Sequence, residues 1–145
     1  PCNIIGIAIK TSNINQQSAG DIARLWERFW SENIISQIPG KISDDLYGVY
    51  TEYEGDFTQP YTTVIGCVTN SLDNIPEGMV GITIEGGQYM KSVVRGKLSD
   101  GIVVQEWEKI WQIDMPRKYK TDFEVYLARN NNPDDMEVDI FVGIE

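Results

Sequence analysis

Apolar residues in this chain recur with two periods, one typical of strands and one typical of helices. The elements that they predict follow the order strand, helix, strand, strand, and this order occurs twice. The first half predicts strands at Asn3–Lys10, Leu46–Glu54 and Tyr61–Asn70, with a helix from Asp21 to about Ser36. The second half predicts a helix over about Ile102–Ile113 and strands at Met79–Ile84, Gln88–Val94, Asp122–Ala128 and Met136–Ile144.

The two halves also resemble each other in sequence. The first helix contains Trp26-Glu27-Arg28-Phe29-Trp30 and the second contains Trp107-Glu108-Lys109-Ile110-Trp111, with the chemical class kept at every position. Downstream, a constant spacing matches Tyr47 with Phe123, Tyr50 with Tyr126 and Tyr61 with Glu137. We therefore predict a single α+β domain over residues 1–145, with pseudo-repeats at about 1–70 and 79–145. Such a duplication predicts pseudo-twofold symmetry, antiparallel sheets with helices on one face, and a central cleft between the halves.

The charge balance argues against nucleic acid as a partner. The chain has 145 residues, of which 12 are basic and 22 acidic, for a formal charge of −10. Phosphate backbones require clustered Lys and Arg, so we expect no direct nucleic-acid contact and no helix-turn-helix. An acidic surface favours cationic partners, although solubility alone also explains it. No apolar run approaches the length of a membrane span, and we expect a cytoplasmic location without membrane contact.

The residue types limit the possible chemistry. The chain has no histidine and two cysteines, Cys2 and Cys67, which we expect to be reduced thiols. A Ser-His-Asp triad, a Cys-His pair and a His-ligated zinc are excluded, and no C-x-x-C pair is present for structural zinc. We therefore expect no metal and no cofactor.

The best candidate for a charged binding group is Glu124. On the predicted strand Asp122–Ala128, Phe123 faces one side while Glu124 and Tyr126 face the other. If Phe123 faces the helices, Glu124 lies on the opposite, groove side. Its counterpart in the first half is Gly48, which leaves room across the pseudo-twofold. The alternative is an ordinary exposed glutamate on a strand.

Aromatic residues supply candidate walls for the cleft. The candidates on the strands are Tyr50, Tyr126 and Tyr89. Trp107 and Trp111, on the short second helix, can belong either to the cleft or to the core. The spacing of Trp26 and Trp30 on the longer helix favours core positions. Tyr47 and Tyr53 share the opposite strand parity and are interpreted as core or rim. An acid among aromatic rings suits an apolar cation, because ring faces attract cations and a carboxylate neutralises them.

Other polar features have ordinary explanations. Gly86-Gly87 is a turn or bulge, since no Lys-Ser/Thr follows as in a phosphate loop. The segment Asn130–Asp135 predicts a turn but lacks the spacing of a calcium loop. Glu52, Glu54 and Asp56 are interpreted as a solvated acidic cluster.

The ordered set of segments resembles a known family. Leu46–Thr69 (LYGVYTEYEGDFTQPYTTVIGCVT) is similar to the central stretch of GyrI-like domains, the effector-binding domains of AraC-type and MerR-type regulators. Gly86–Gly96, the helix with Trp107 and Trp111, and Asp122–Ala128 fit the second half in order. The chain also resembles standalone members carried on integron gene cassettes, which are described as cationic drug-binding modules.

The resemblance implies a duplicated fold with a cleft for hydrophobic cations. It assigns the family's acid to Glu124 and its cleft aromatics to Tyr50, Tyr89, Trp107 and Trp111. We expect a bacterial binding protein, monomer or homodimer, that acts as a sensor with a separate transcription regulator or sequesters its ligand. Two alternatives stay open: a GyrI-like small-molecule hydrolase in which Glu124 activates water, and a protein-interaction modulator of gyrase or a transcription factor.

Overall fold

The computed structural model describes residues 2–13, 17–55, 59–97, 100–127 and 135–145. Within these residues the chain forms β1 (Cys2–Thr11), α1 (Gln17–Ser31), α2 (Ile34–Gln37), β2 (Leu46–Thr51), β3 (Tyr61–Thr69), β4 (Val80–Ile84), β5 (Gln88–Gly96), α3 (Ile102–Gln112), β6 (Arg117–Tyr126) and β7 (Met136–Ile144). The strands form one seven-stranded sheet in the order β4-β1-β3-β2-β6-β7-β5, and every pair is antiparallel. The α+β class predicted from the sequence is confirmed.

The order of strands is symmetric about the middle of the sheet. β1, β3 and β2 of the first half mirror β5, β7 and β6 of the second, and β2 pairs with β6 at the centre. β4 extends the edge beyond β1. This arrangement supports the predicted duplication.

The register of the central strands corrects one match between the halves. Gly48 pairs with Ile65 on β3, and its counterpart Glu124 pairs with Ile140 on β7. Counting along β3 and β7 from these partners, Tyr61 corresponds to Met136 and not to Glu137. The sequence comparison missed this because Ile65 lies 17 positions after Gly48, whereas Ile140 lies 16 positions after Glu124.

The sheet must curl strongly. β4 and β5 lie on opposite edges, yet only three residues separate Ile84 from Gln88, a reach of at most about 14 Å. A flat seven-stranded sheet would place these edges about 29 Å apart. Ile4, Val49 and Val64 are fully buried on the face without helices, so the sheet itself covers them.

The helices pack on the other face, each over the outer strands of its own half. Leu25 and Phe29 of α1 pack against Ile5, Ile7 and Ile65 of β1 and β3. On α3, Trp107 and Ile110 pack in a cluster with Val138, Ile140 and Val142 of β7. The central strands β2 and β6 are left in the gap between the two helices. This gap sets the position of the site.

Several predicted boundaries are wrong. Asp21 does not begin the first helix but lies in its second turn, where its carboxylate accepts a hydrogen bond from Thr11 Oγ1 at 2.7 Å. The helix ends at Ser31, and Asn33, in the left-handed region at φ 52°, separates it from α2. β6 begins at Arg117, five residues before the predicted start. The predicted turn at 130–135 falls outside the described residues except for Asp135.

Candidate functional site

A cavity of about 630 Å³ lies between α1 and α3, above the central strands. This volume is within the range of small-molecule sites. Its wall contains eight aromatic residues among those described: Trp26, Trp30, Tyr50, Tyr53, Tyr61, Trp107, Trp111 and Tyr126. Glu124 and Arg117 are the charged residues of the described wall.

Glu124 is buried at the base of this cavity with 1% of its surface exposed. Its Oε2 accepts hydrogen bonds from the Tyr50 hydroxyl at 2.9 Å and from Trp107 Nε1 at 2.5 Å. Its Oε1 accepts one from the Tyr126 hydroxyl at 2.8 Å. All three donors are neutral, and none of the ion pairs among the described residues involves Glu124. The carboxylate is therefore oriented by hydrogen bonds but not neutralised by them.

Burial raises the pKa of Glu124 above its ordinary value, and the hydrogen bonds from Trp107, Tyr126 and Tyr50 oppose that rise. Burial, together with the adjacent charge of Glu124, raises the pKa of Tyr50 and Tyr126 well above their ordinary values. Both phenols therefore stay protonated at neutral pH and can donate to the carboxylate.

The predicted orientation of the Glu124 strand was wrong in one respect. Strand parity does place Glu124 and Tyr126 together and Phe123 on the other face, where Phe123 stacks on Tyr47 and Phe141 at 5.9 and 4.7 Å. Glu124, however, faces the helices, and the cavity lies on the helix side of the sheet. The sheet curls around the face without helices, so that face is filled by its own side chains.

Gly48 lies directly opposite Glu124 on the neighbouring strand. A Cβ at position 48 would stand 3.2 Å from Glu124 Oε1 and 3.9 Å from a ring carbon of Tyr126. This is tighter than an ordinary contact, so the glycine provides the room that the carboxylate occupies. The sequence comparison between the halves predicted this role.

We expect Gly48→Ala to weaken ligand binding several-fold while leaving the free energy of unfolding within about 1 kcal/mol of the parent. The added methyl group pushes the Glu124 carboxylate away from its hydrogen-bond donors, while a strand accepts alanine readily. Calorimetric titration and urea unfolding measure the two quantities. Gly86→Ala is the matched control, because a Cβ there meets nothing within 4 Å. Equal affinity in both variants would contradict this role for Gly48.

The aromatic wall is built from two equivalent pairs that cross between the halves. Trp107 contacts Tyr50 edge-on at 5.5 Å, and its counterpart Trp26 contacts Tyr126 edge-on at 5.2 Å. Each pair joins the helix of one half to the central strand of the other. The core assignment of Trp30 is therefore wrong, since it lines the cavity and is 55% exposed. Trp26 packs against the core under α1 and also lines the cavity. Their match to Trp107 and Trp111 was the signal that could have identified them.

A second buried acid, Asp122, lies on β6 behind the cavity wall. Its Oδ2 accepts from the Tyr53 hydroxyl at 2.6 Å and from Arg117 Nη2 at 2.8 Å, and its Oδ1 accepts from the Gly143 amide at 2.8 Å. The Arg117 side chain is 4% exposed and lies over the Tyr119 ring at 4.4 Å. Asp122 is thus neutralised within the protein, unlike Glu124.

A bulge in β6 creates this ion pair. On a regular strand, residues 117 and 122 would face opposite sides about 17 Å apart. The register with β7 shifts between Arg117 and Asp122, and Tyr119 within the bulge has φ 54°. Sequence reasoning missed Arg117 and Asp122, because no local pattern reports a bulge. Strand parity predicted Tyr53 at the core or rim, but β2 ends at Thr51 and Glu52 has φ 54°, so the alternation does not extend to Tyr53.

The structure brings together five of the six predicted site residues: Glu124, Tyr50, Trp107, Trp111 and Tyr126. It does not bring Tyr89 to this cavity. Tyr89 lies on the other face, edge-on to Phe123 at 5.3 Å, and its hydroxyl donates to the Glu85 carbonyl at 3.0 Å. Of the two tyrosines interpreted as core or rim, Tyr47 packs on the face without helices and Tyr53 lines the cavity.

The described residues show neither a metal cluster nor a membrane-spanning helix. Among the described residues, no group of three or more Cys, Asp or Glu side chains is arranged to hold a metal ion. In the same part of the chain, no helix combines the length and hydropathy needed to cross a membrane.

A large aromatic cavity with a buried acid, held between two helices on an antiparallel sheet, defines a protein that binds small molecules. The chain belongs to the Cass2 family of integron-associated effector binding proteins, whose family model matches residues 1–144. It is therefore an effector-binding protein.

Individual relatives match nearly the full length of the chain. The chain is 25% identical over 144 residues to YobU of Bacillus subtilis (strain 168), a candidate transcriptional regulator, covering 97% of this chain and 90% of that protein. The integron cassette protein VCH_CASS2 from the mobile metagenome of Vibrio cholerae matches with a TM-score of 0.76 and 24% identity, over 99% of this chain and 90% of that one. SAV2435, solved with bound tetraphenylphosphonium, matches with a TM-score of 0.78 and 18% identity, over 99% and 88%. The two matches to solved structures establish the fold of this chain and nothing further.

Proposed function

We propose that the protein reversibly binds a lipophilic cation in the cavity, with Glu124 as the counter-charge. The observation that carries this proposal is the environment of Glu124: a buried carboxylate in an aromatic cavity, held by three neutral donors and with no ion pair among the described residues. A buried charge without a partner is costly, and a bound cation removes that cost.

The aromatic wall supplies the remaining affinity. Burying the apolar body of a ligand contributes about 25 cal/mol for each Å² removed from water, before the cost of ordering the ligand. Ring faces also attract positive charge, and Trp107 and Tyr50 stand beside the carboxylate. The aromatic rings thus supply most of the affinity, and the adjacent Glu124 carboxylate supplies the preference for a positive charge.

A structural neighbour supports the class of ligand. SAV2435 has the same fold and was solved with tetraphenylphosphonium, a lipophilic cation. We infer that this chain accepts cations of the same kind. Its similarity to a candidate regulator favours a role as a sensor that works with a separate transcription regulator, and sequestration of the ligand is the other role that binding alone supports.

The arrangement favours binding over hydrolysis. Three hydrogen bonds from protein donors reach the two oxygens of Glu124 and counteract part of the rise in its pKa that burial causes. They occupy most of the acceptor positions of the carboxylate, whereas a general base must direct a lone pair at the attacking water. We therefore expect the bound ligand to be recovered unchanged.

Tetraphenylphosphonium and tetraphenylborate test the proposal, because they have nearly the same shape and opposite charges. We expect the cation to bind and to do so more tightly as pH rises. Burial raises the pKa of free Glu124, so the acid must lose a proton before it can pair with the cation. Affinity therefore increases as pH rises through that raised pKa and becomes constant above it.

Calorimetric titration across pH 4 to 8 measures both properties. We expect little binding of tetraphenylborate at any of these pH values, because it would face the carboxylate. Comparable affinity for the two ions, or cation affinity that falls as pH rises, would contradict the proposal.

A further inference from the structure

The cavity repeats its aromatic geometry but not its charge. Tyr50 and Trp107 form one half-site around Glu124, and Tyr126 and Trp26 form the equivalent pair in the other half. The residue that corresponds to Glu124 in the other half is Gly48, directly opposite on β2. Glu124 lies between the two pairs, because its Oε2 accepts from Tyr50 and Trp107 and its Oε1 accepts from Tyr126. The described wall therefore has one carboxylate for two aromatic pairs.

The charges in the described wall leave one place for a cation. Glu124 is its one acid and Arg117 its one base. The charge of Arg117 is compensated by Asp122, whose Oδ2 is 2.8 Å from Arg117 Nη2. Within the described wall, a second positive charge would meet neutral rings or a guanidinium, and no second carboxylate.

We propose that the cavity is a monocation site, in which the ligand's single charge lies beside Glu124 and its apolar body lies against the surrounding aromatic wall. This inference rests on the proposed function and names its ligand class more closely. Rigid compact dications are disfavoured, because the described wall offers no second carboxylate to a second charge held close to the first. A dication whose second charge sits on a long flexible tether is not covered, because that charge can stay in water.

The physical reason is the cost of a buried charge without a partner. A carboxylate compensates a full positive charge at low dielectric, whereas a ring face offers only its quadrupole. The acidic surface works in the opposite direction, since a formal charge of −10 attracts dications to the exterior more strongly than monocations. Salt screens this exterior attraction more than it screens a pair inside the cavity.

The matched probes are 1-methyl-4-phenylpyridinium and methyl viologen, two rigid biaryls of similar size with one and two charges. Each probe is titrated against the protein with tetraphenylphosphonium bound, and calorimetry monitors the displacement at 0.15 M and 0.5 M salt. The titrations give the affinities of the two probes. We expect methyl viologen to bind at least about tenfold more weakly than the monocation, in keeping with an uncompensated buried charge. The ratio should widen at the higher salt concentration.

The outcomes separate this inference from the proposed function. If tetraphenylphosphonium itself does not bind, the proposed function fails. If it binds and methyl viologen displaces it as well as the monocation does, or if neither biaryl displaces it, the monocation inference is overturned. Glu108→Gln, an exposed change that removes one negative charge outside the cavity wall, should leave the ratio unchanged.

Discussion

Replacing Glu124 by glutamine is expected to weaken tetraphenylphosphonium binding by about 30- to 5,000-fold, or roughly 2–5 kcal/mol. The substitution removes the counter-charge and keeps the size of the side chain. A bound cation would then be desolvated against neutral groups alone. Calorimetric titration at pH 8 measures the loss, because Glu124 of the parent protein is most ionised there.

The hydrogen bonds around position 124 allow this variant to fold. The glutamine Oε1 can accept from Tyr50 and Trp107, and its Nε2 can donate to the Tyr126 hydroxyl, which accepts as well as donates. We therefore expect the glutamine variant to be at least as stable as the unliganded parent, in which a charge is buried without a partner.

Glu108→Gln controls for net charge in this experiment, since Glu108 is exposed on α3 next to Trp107. It should bind the cation within about twofold of the parent. The glutamine variant should also lose the pH dependence of binding, which a purely steric effect would leave intact. Parent-like affinity in Glu124→Gln would remove this residue from the site.

Asp122→Asn is expected to lower the free energy of unfolding by about 3–5 kcal/mol. The change leaves the Arg117 guanidinium, 4% exposed, without its charge partner. An asparagine oxygen can still accept from Tyr53 or Gly143, so the loss comes mainly from the isolated positive charge. For a chain of this length the melting temperature should fall by roughly 6–20 °C.

Removing both charges distinguishes this explanation from a simple loss of packing. The double variant Arg117→Met/Asp122→Asn should recover a large part of the stability, because no buried charge remains uncompensated. Asp114→Asn, on an exposed residue, is the control and should stay within about 0.5 kcal/mol of the parent. Urea unfolding measures all three, and a double variant no more stable than Asp122→Asn would contradict the account.

Internal similarity was the most informative signal for the site. It matched Gly48 with Glu124 and Tyr50 with Tyr126, and the structure places these four residues around the centre of the sheet. The same comparison could have assigned Trp26 to the cavity through its match to Trp107. The amphipathic pattern outweighed it, although a stripe of apolar residues does not distinguish a packed core from the wall of a cavity.

The alternation of side chains along a strand predicts which residues share a face, but not which face the helices cover. Alternation along β6 separates Glu124 from Phe123, and alternation along β5 leaves open which face of the sheet Tyr89 lies on. It cannot say which face the helices cover, because that depends on how distant strands pair and curl. For this reason Glu124 was expected on the wrong side and Tyr89 in the wrong place.

The order of elements and the repeat followed from the sequence by itself, because periodicity and residue type are local properties that hold in any arrangement of the chain. Those patterns left Glu124 as either a binding group or an ordinary exposed glutamate, and the family resemblance assigned it to the site. The tertiary structure decided the rest: the gap between the helices, the face on which Glu124 lies, and the Arg117–Asp122 pair made by a bulge. These features arise from contacts between residues far apart in sequence, where packing and the cost of buried charge select one arrangement among several that the local patterns allow.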